Sequence, residues 1–225
     1  ALVVGSFQNQ LDFGGSAHAS QGAHDLFVLR IDGAGNEVWS QAWGAGSDQR
    51  ALAVAVAPSG ESVVVGLSAA SFAVGPELLA NAGMQDVFAI KLDAAGQPLW
   101  ARSFGGTGED RATGVAIDAG GAIWLVGRFQ ESIDLGGGPL TGPAGEMHMF
   151  VAKLGPDGTH LHSRAFHTTG NGVQPFGAWP DWRQISVDAG GFAYLAGYFR
   201  NSVDFGLGPV ASAGGADAFA LKLAP

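Results

Sequence analysis

Apolar and polar positions alternate along most of the chain. In Asp86 to Leu92 (DVFAIKL), Phe88, Ile90 and Leu92 fall on one side of an extended segment and Val87, Ala89 and Lys91 on the other, the period of two expected of a β-strand. Both sides are mostly apolar, which predicts a sheet covered on its two faces. The same segment, continued through a Gly-containing turn into a second strand, is written four times: Asp25 to Trp43 (DLFVLRIDGAGNEVWSQAW), Asp86 to Phe104 (DVFAIKLDAAGQPLWARSF), His148 to Phe166 (HMFVAKLGPDGTHLHSRAF) and, shortened, Asp217 to Pro225 (DAFALKLAP). Phe27, Phe88, Phe150 and Phe219 recur at intervals of 61, 62 and 69 residues. An internal repeat of this length governs the reading of everything else.

Two further strands complete each period. Strand b contains ALVVGSF at Ala1 to Phe7, VVVGLS at Val63 to Ser68, WLVGRF at Trp124 to Phe129 and YLAGYF at Tyr194 to Phe199, always with a glycine: Gly5, Gly66, Gly127, Gly197. A glycine inside a strand predicts a bulge or the close approach of a neighbour, packing being the favoured reason. Strand a precedes it at Leu52 to Ala57, Thr113 to Asp118 and Gln184 to Asp188, joined by the turns PSG, DAGG and DAGG, whose glycines supply positive φ. No helix is expected; Pro76 to Ala82 (PELLANA) is too short to form one. The expected fold is all-β: a β-propeller of ~60-residue four-stranded blades, forming an arc or incomplete ring. Its divisions are a partial blade over 1–44, blades over 45–104 and 105–166, and a partial blade over 167–225. A parallel β-helix is disfavoured, since its coils are shorter and do not need a hairpin at each step. With the first strand a and the last strand d missing, open edges predict either an excised arc of a longer propeller or a protomer that self-associates.

The phrases FAIKLDAAGQPLWARSFGGTGEDRATGVAIDAGGAIWLVGRF and SIDLGGGPLTGPAGEMHMFVAKL resemble the bacterial SBBP β-propeller repeat over nearly the whole chain. That resemblance implies a large secreted or cell-surface protein of the kind found in myxobacteria, and it transfers no catalytic residue. The long loop from His167 and Ala73 both depart from the pattern.

Composition narrows the function classes. A net charge of −9 with only 11 Lys and Arg, scattered, argues against nucleic acid. No cysteine is present, so there is neither disulfide scaffold nor thiol chemistry. No apolar run approaches the ~20 residues of a membrane-spanning helix. The absence of an initiator Met suggests a mature or excised piece. Between strands b and c, Asp12, Asp134 and Asp204 precede Gly-rich turns, with Ala73 in their place in the second copy. Ca²⁺ binding is possible in principle, but one carboxylate per loop falls short of a calcium cage, so a turn-capping role is expected. Otherwise no cofactor or metal is expected. Arg30, Lys91, Lys153 and Lys222 recur on strand c, expected to snorkel toward the rim rather than ring an anion. His160 and His162 have metal-pair spacing, yet His162 occupies the slot of Trp39 and Trp100, read as core-facing.

The loops GAGSDQR at Gly44 to Arg50 and GGTGEDR at Gly105 to Arg111 pair an acid with an Arg. GGTG is not read as a phosphate loop because a strand, not a helix, follows it. The third copy, HTTGNGVQPFGAWPDW from His167 to Trp182, is about nine residues longer and gathers His167, Asn171, Phe176, Trp179 and Trp182. Insertions in repeat proteins mark binding faces, and exposed Trp stacks on sugars or anchors proteins; the competing reading is an aromatic plug. The sequence thus points to a non-enzymatic module binding protein or glycan. A self-assembling structural protein is the second reading, and the third a polysaccharide hydrolase or lyase using Asp48, Glu109, Asp110 or Asp181.

Overall fold

The computed structural model describes residues 1–169 and 184–225, and all regular structure among them is strand. The first sheet takes β1 (Leu2–Phe7), then a small hairpin of β2 (Gln10–Asp12) and β3 (Ala17–Ala19), then β4 (Asp25–Ile31) and β5 (Glu37–Trp43). The second holds β6 (Gln49–Val56) and β7 (Ser62–Ser68), the hairpin β8 (Phe72–Val74) and β9 (Glu77–Leu79), and β10 (Asp86–Leu92) and β11 (Pro98–Phe104). The third repeats this with β12 (Arg111–Ile117), β13 (Ile123–Gln130), β14 (Ser132–Asp134), β15 (Pro139–Thr141), β16 (Met147–Leu154) and β17 (His160–Phe166). The last has β18 (Thr168–Thr169), β19 (Gln184–Val187), β20 (Ala193–Phe199), β21 (Ser202–Asp204), β22 (Pro209–Ala211) and β23 (Asp217–Leu223).

The main sheets are antiparallel and ordered β1-β4-β5, β6-β7-β10-β11, β12-β13-β16-β17 and β19-β20-β23. The strand order expected from the repeats is therefore present in all four. The segments between strands b and c, expected as linkers, are hairpins of their own, and Glu77 to Leu79 of PELLANA is a strand in one of them.

Alternation decides which neighbour each side chain meets. Val63, Val65, Val87 and Ala89 of the second sheet pack with Ile123, Leu125, Phe150 and Ala152 of the third. The intervening residues Val64, Phe88 and Ile90 pack backwards onto Leu26 and Val28 of the first. Trp124, Val126, Met149 and Val151 continue the stack onto Ala193 and Leu195. Each core thus lies between successive sheets, which explains why β7 and β10 are buried at every position. A buried side chain the size of Phe88 contributes about 1.5–3 kcal/mol by leaving water. β6 packs against β1 on one side and β12 on the other, and β12 against β19, so the first strands of successive sheets lie side by side.

The strand b glycine is explained by its cross-strand partner. Gly5, Gly66, Gly127 and Gly197 stand opposite Phe27, Phe88, Phe150 and Phe219. A methyl group on Gly66 or Gly127 would meet that ring and the carbonyl of Arg50 or Arg111. The ladder also shifts opposite both, between Ala51 and Ala53 and between Ala112 and Gly114. Bulge and close approach are the same event: the ring needs the space, and the neighbouring strand bends around it.

Candidate functional site

The loops that lead into the first strands of the second and third sheets are built by contacts across the sheet junction. His24, just before β4, and Asp48, just before β6, form a parallel bridge, and the Gln49 amide donates to the His24 carbonyl at 2.7 Å. Asp48 accepts from Arg50 at 2.9 Å and lies 2.7 Å from His24 Nδ1. Partial burial pushes the Asp48 carboxyl up, but the His24 and Arg50 contacts outweigh this and hold it below the usual range. The next junction repeats the device with Gln85, Glu109 and Arg111, the guanidinium reaching Gln85 at 3.1 Å and Glu109 at 3.0 Å. The expected Arg–carboxylate bonds therefore exist, and they include a residue from the preceding sheet. Asp48 and Glu109, two of the candidate catalytic acids, are occupied in these clasps.

Asp110, the third, is fully buried. Its Oδ2 accepts from the Gly106 amide at 2.7 Å and its Oδ1 from Gln130 at 3.3 Å. Burial pushes its pKa up to about 7 against those two hydrogen bonds, and the charges of Asp86 and Glu109 add to the rise. Asp86 is buried too and raised by burial, with the Ala82 amide on Oδ2 and no hydrogen-bond partner for Oδ1 among the described residues. Gly105 abuts this carboxylate so closely that any side chain there would collide with it, and Gly44 does the same against Asp25. Asp181 lies outside the described residues.

The strand c cations do not gather around one anion, and of the four only Lys222 is exposed. Arg30 donates to the Ala94 carbonyl at 2.7 Å and Trp39 Nε1 to the same oxygen at 3.3 Å. Lys91 and Trp100 repeat this on the Pro156 carbonyl at 3.1 and 3.0 Å, Lys91 also meeting Glu61 at 3.0 Å. Each cation–indole pair grips the turn of the following sheet. Lys153 instead pairs with Asp118 at 3.4 Å, and Lys222 lies over Phe192 and Tyr194 at 4.0 and 5.2 Å. His162 does occupy the Trp register, opposite Lys153, and is exposed, whereas Trp39 and Trp100 in that register are partly buried and pack against the hydrophobic cores as well as the next turn. His160 bonds Ser163 at 3.0 Å.

Asp134 Oδ1 accepts from Gly136 and Gly138, and Asp204 from Gly206 and Gly208; Asp12 accepts from Gly14. These are the turn caps expected from sequence. β8 and β9 are joined by Gly75 and Pro76 alone, a turn too short to need a cap, which is why Ala73 suffices.

Of the aromatic loop, Asn171, Phe176, Trp179 and Trp182 lie outside the described residues. His167 is described: it is exposed and its ring stacks edge-on against His148 at 5.1 Å. A concavity lies elsewhere, a groove of about 630 Å³ where the first strands converge on the last sheet. Ala53, Val54 and Val115 form one wall and Ile185, Tyr194 and Lys222 another. Sequence reasoning missed it because its lining is ordinary strand residue by residue; the exposed Tyr194 beside the Lys222 register is the only cue it offered.

No protein-family model matches the chain. Over 142 residues, 61% of its length, it is 29% identical to the Regulatory protein FlaEY of Caulobacter vibrioides, and that match covers 15% of the relative.

Proposed function

We propose that the chain is an arc of a β-propeller serving as a non-enzymatic, secreted or cell-surface module that binds a protein or glycan and scaffolds it. The observation that carries the propeller reading is the face-to-face stacking of four repeated sheets through alternating side chains, with β6, β12 and β19 adjacent along one line. The SBBP-like repeat pattern supports secretion or surface display. Similarity to a small part of the much longer FlaEY, a regulatory protein, supports a module carried within larger proteins.

Binding is assigned to the groove formed by those inner strands, whose aliphatic walls and single Lys222 rim suit an apolar, acid-bearing protein segment better than a sugar. The loop acids serve the junctions: Asp48 and Glu109 are clamped by arginines and Asp110 by backbone amides. The test is a pull-down and a glycan array with the wild type and with Tyr194→Ala plus Lys222→Glu. Loss of the captured ligand in the double variant is expected. Undiminished capture would place the site elsewhere, and turnover of a polysaccharide by the wild type would overturn the non-enzymatic reading.

A further inference from the structure

His148 and His167 stand where the first two sheets carry an acid and a glycine. Asp25 and Asp86 open β4 and β10, and the residue directly after β5 and β11 is Gly44 or Gly105, in contact with that same carboxylate. At the third sheet both positions change together, to His148 near the start of β16 and His167 directly after β17. The two exchanged residues touch one another, their ring centroids 5.1 Å apart and their planes at 79°. One contact has been replaced by another of different chemistry.

The state of His148 shows what that chemistry suits. The residue is wholly buried. Its Nε2 lies 3.3 Å from the Pro143 carbonyl, an acceptor only, so Nε2 carries the proton and Nδ1 a lone pair. Nδ1 is buried and has no hydrogen-bond partner among the described residues. Leaving such an atom unpaired is costly; Asp25 and Asp86 at the equivalent position each accept an amide on Oδ2 and likewise leave Oδ1 without a hydrogen-bond partner among the described residues. Metal-bound histidines characteristically donate their second ring N–H to a backbone carbonyl, which fixes tautomer and orientation. Phe129, 5.4 Å from the His148 ring, restrains it further. Two imidazoles sharing one tetrahedral cation at about 2.0–2.1 Å hold their ring centroids about 5 Å apart, the spacing found here. His167 is exposed, which gives a cation a route from solvent.

We infer that His148, through Nδ1, and His167 form a two-imidazole site for a divalent transition-metal cation of the zinc class, with water completing the coordination. Among the described residues no cluster of three or more His, Asp or Glu is gathered as a metal cage, so the site is an open one, and its nitrogen ligands select against Ca²⁺ and Mg²⁺.

The test is calorimetric titration of the full chain with zinc chloride at pH 7.5. The reference is the double variant His148→Asp, His167→Gly, which installs the pair found at the second sheet. That variant keeps His18, His24, His160 and His162, so it controls for binding at other histidines. One equivalent bound by the wild type and at least tenfold weaker binding by the variant are expected, with no response to CaCl₂. If the double variant does not fold by circular dichroism, His167→Ala, at an exposed position, serves instead, with the same tenfold loss expected. Equal zinc binding by wild type and variant, no binding by the wild type, or an equal response to Ca²⁺ would each overturn the assignment.

Discussion

A single position, held by Gln49 in one junction and Asp110 in the next, shows how the same slot is filled by two chemistries. Gln49 Oε1 accepts from the Ala45 amide at 2.8 Å, as Asp110 Oδ2 does from Gly106 at 2.7 Å, and both residues are fully buried. Gln49 is neutral at every pH. Asp110, pushed up to about 7 by burial, holds its proton in the folded chain over a range where an unfolded Asp, near its ordinary value of 3.8, has lost it. The folded state therefore binds more protons, and stability falls as pH rises from about 4 to about 7. Asp110→Asn removes this dependence. We expect the variant to exceed the wild type by about 1–4 kcal/mol at pH 8, each pKa unit being worth about 1.4 kcal/mol, and to show no such advantage at pH 4. Urea unfolding at the two pH values measures it; an equal difference at both would mean that ionisation of Asp110 is not what is being relieved.

At the scale of the element, the junctions between turns and neighbouring sheets set the stability. Trp100 and Lys91 share the Pro156 carbonyl as Trp39 and Arg30 share that of Ala94. Trp100→Ala removes an indole packed on the next turn together with its hydrogen bond, and an expected loss of about 2–4 kcal/mol should appear as a lower thermal midpoint. Leu99→Ala on the exposed side of the same strand should cost well under 1 kcal/mol; similar losses for both would refute a junction role for the indole. The small hairpins offer a second comparison. Asp134→Ala strips the cap from a turn that bonds Gly136 and Gly138, for about 1 kcal/mol, whereas Ala73→Asp should stabilise nothing, since Gly75 and Pro76 close that hairpin unaided. A measured gain at Ala73 would show that the cap acts on more than the turn. Strand identity and order were legible in the sequence because both depend on local alternation and turn chemistry that the repeats state several times over. The Asp134 cap was legible for the same reason. The b–c hairpins were not, since three-residue strands such as Ser132 to Asp134 are too short to show a period. Nor was the grip of each cation–indole pair on the next turn: Arg30 and Ala94 are 64 residues apart, and only the stacking brings them together. The groove was hidden likewise, and the pairing of His148 with His167 showed only as two departures from the repeat.

Across the whole molecule, each sheet is stabilised by the one before and the one after, so stability should follow position in the stack. β7 and β10 are buried throughout, covered on both faces by the first and third sheets. β23, in the last sheet, alternates between intermediate and exposed positions, and β1, in the first, is mostly of intermediate burial. In a quasi-one-dimensional array the free energy is a sum of unit terms and nearest-neighbour interfaces, so a sheet with one interface opens at lower cost than a sheet with two. Amide hydrogen exchange followed by mass spectrometry should therefore rank β10 and β16 slowest and β1 and β23 fastest, with the terminal sheets exchanging at least tenfold sooner. Val65→Ala, in the interface between the second and third sheets, should accelerate exchange in both at once, whereas a change confined to β23 should leave β10 untouched. Size measurement alongside separates this from self-association. If protection of β1 and β23 rises with concentration while the particle grows, their open edges are pairing with another copy. Uniform protection at all strands in a concentration-independent monomer would instead mean that the four sheets unfold as one unit and that the nearest-neighbour description is wrong.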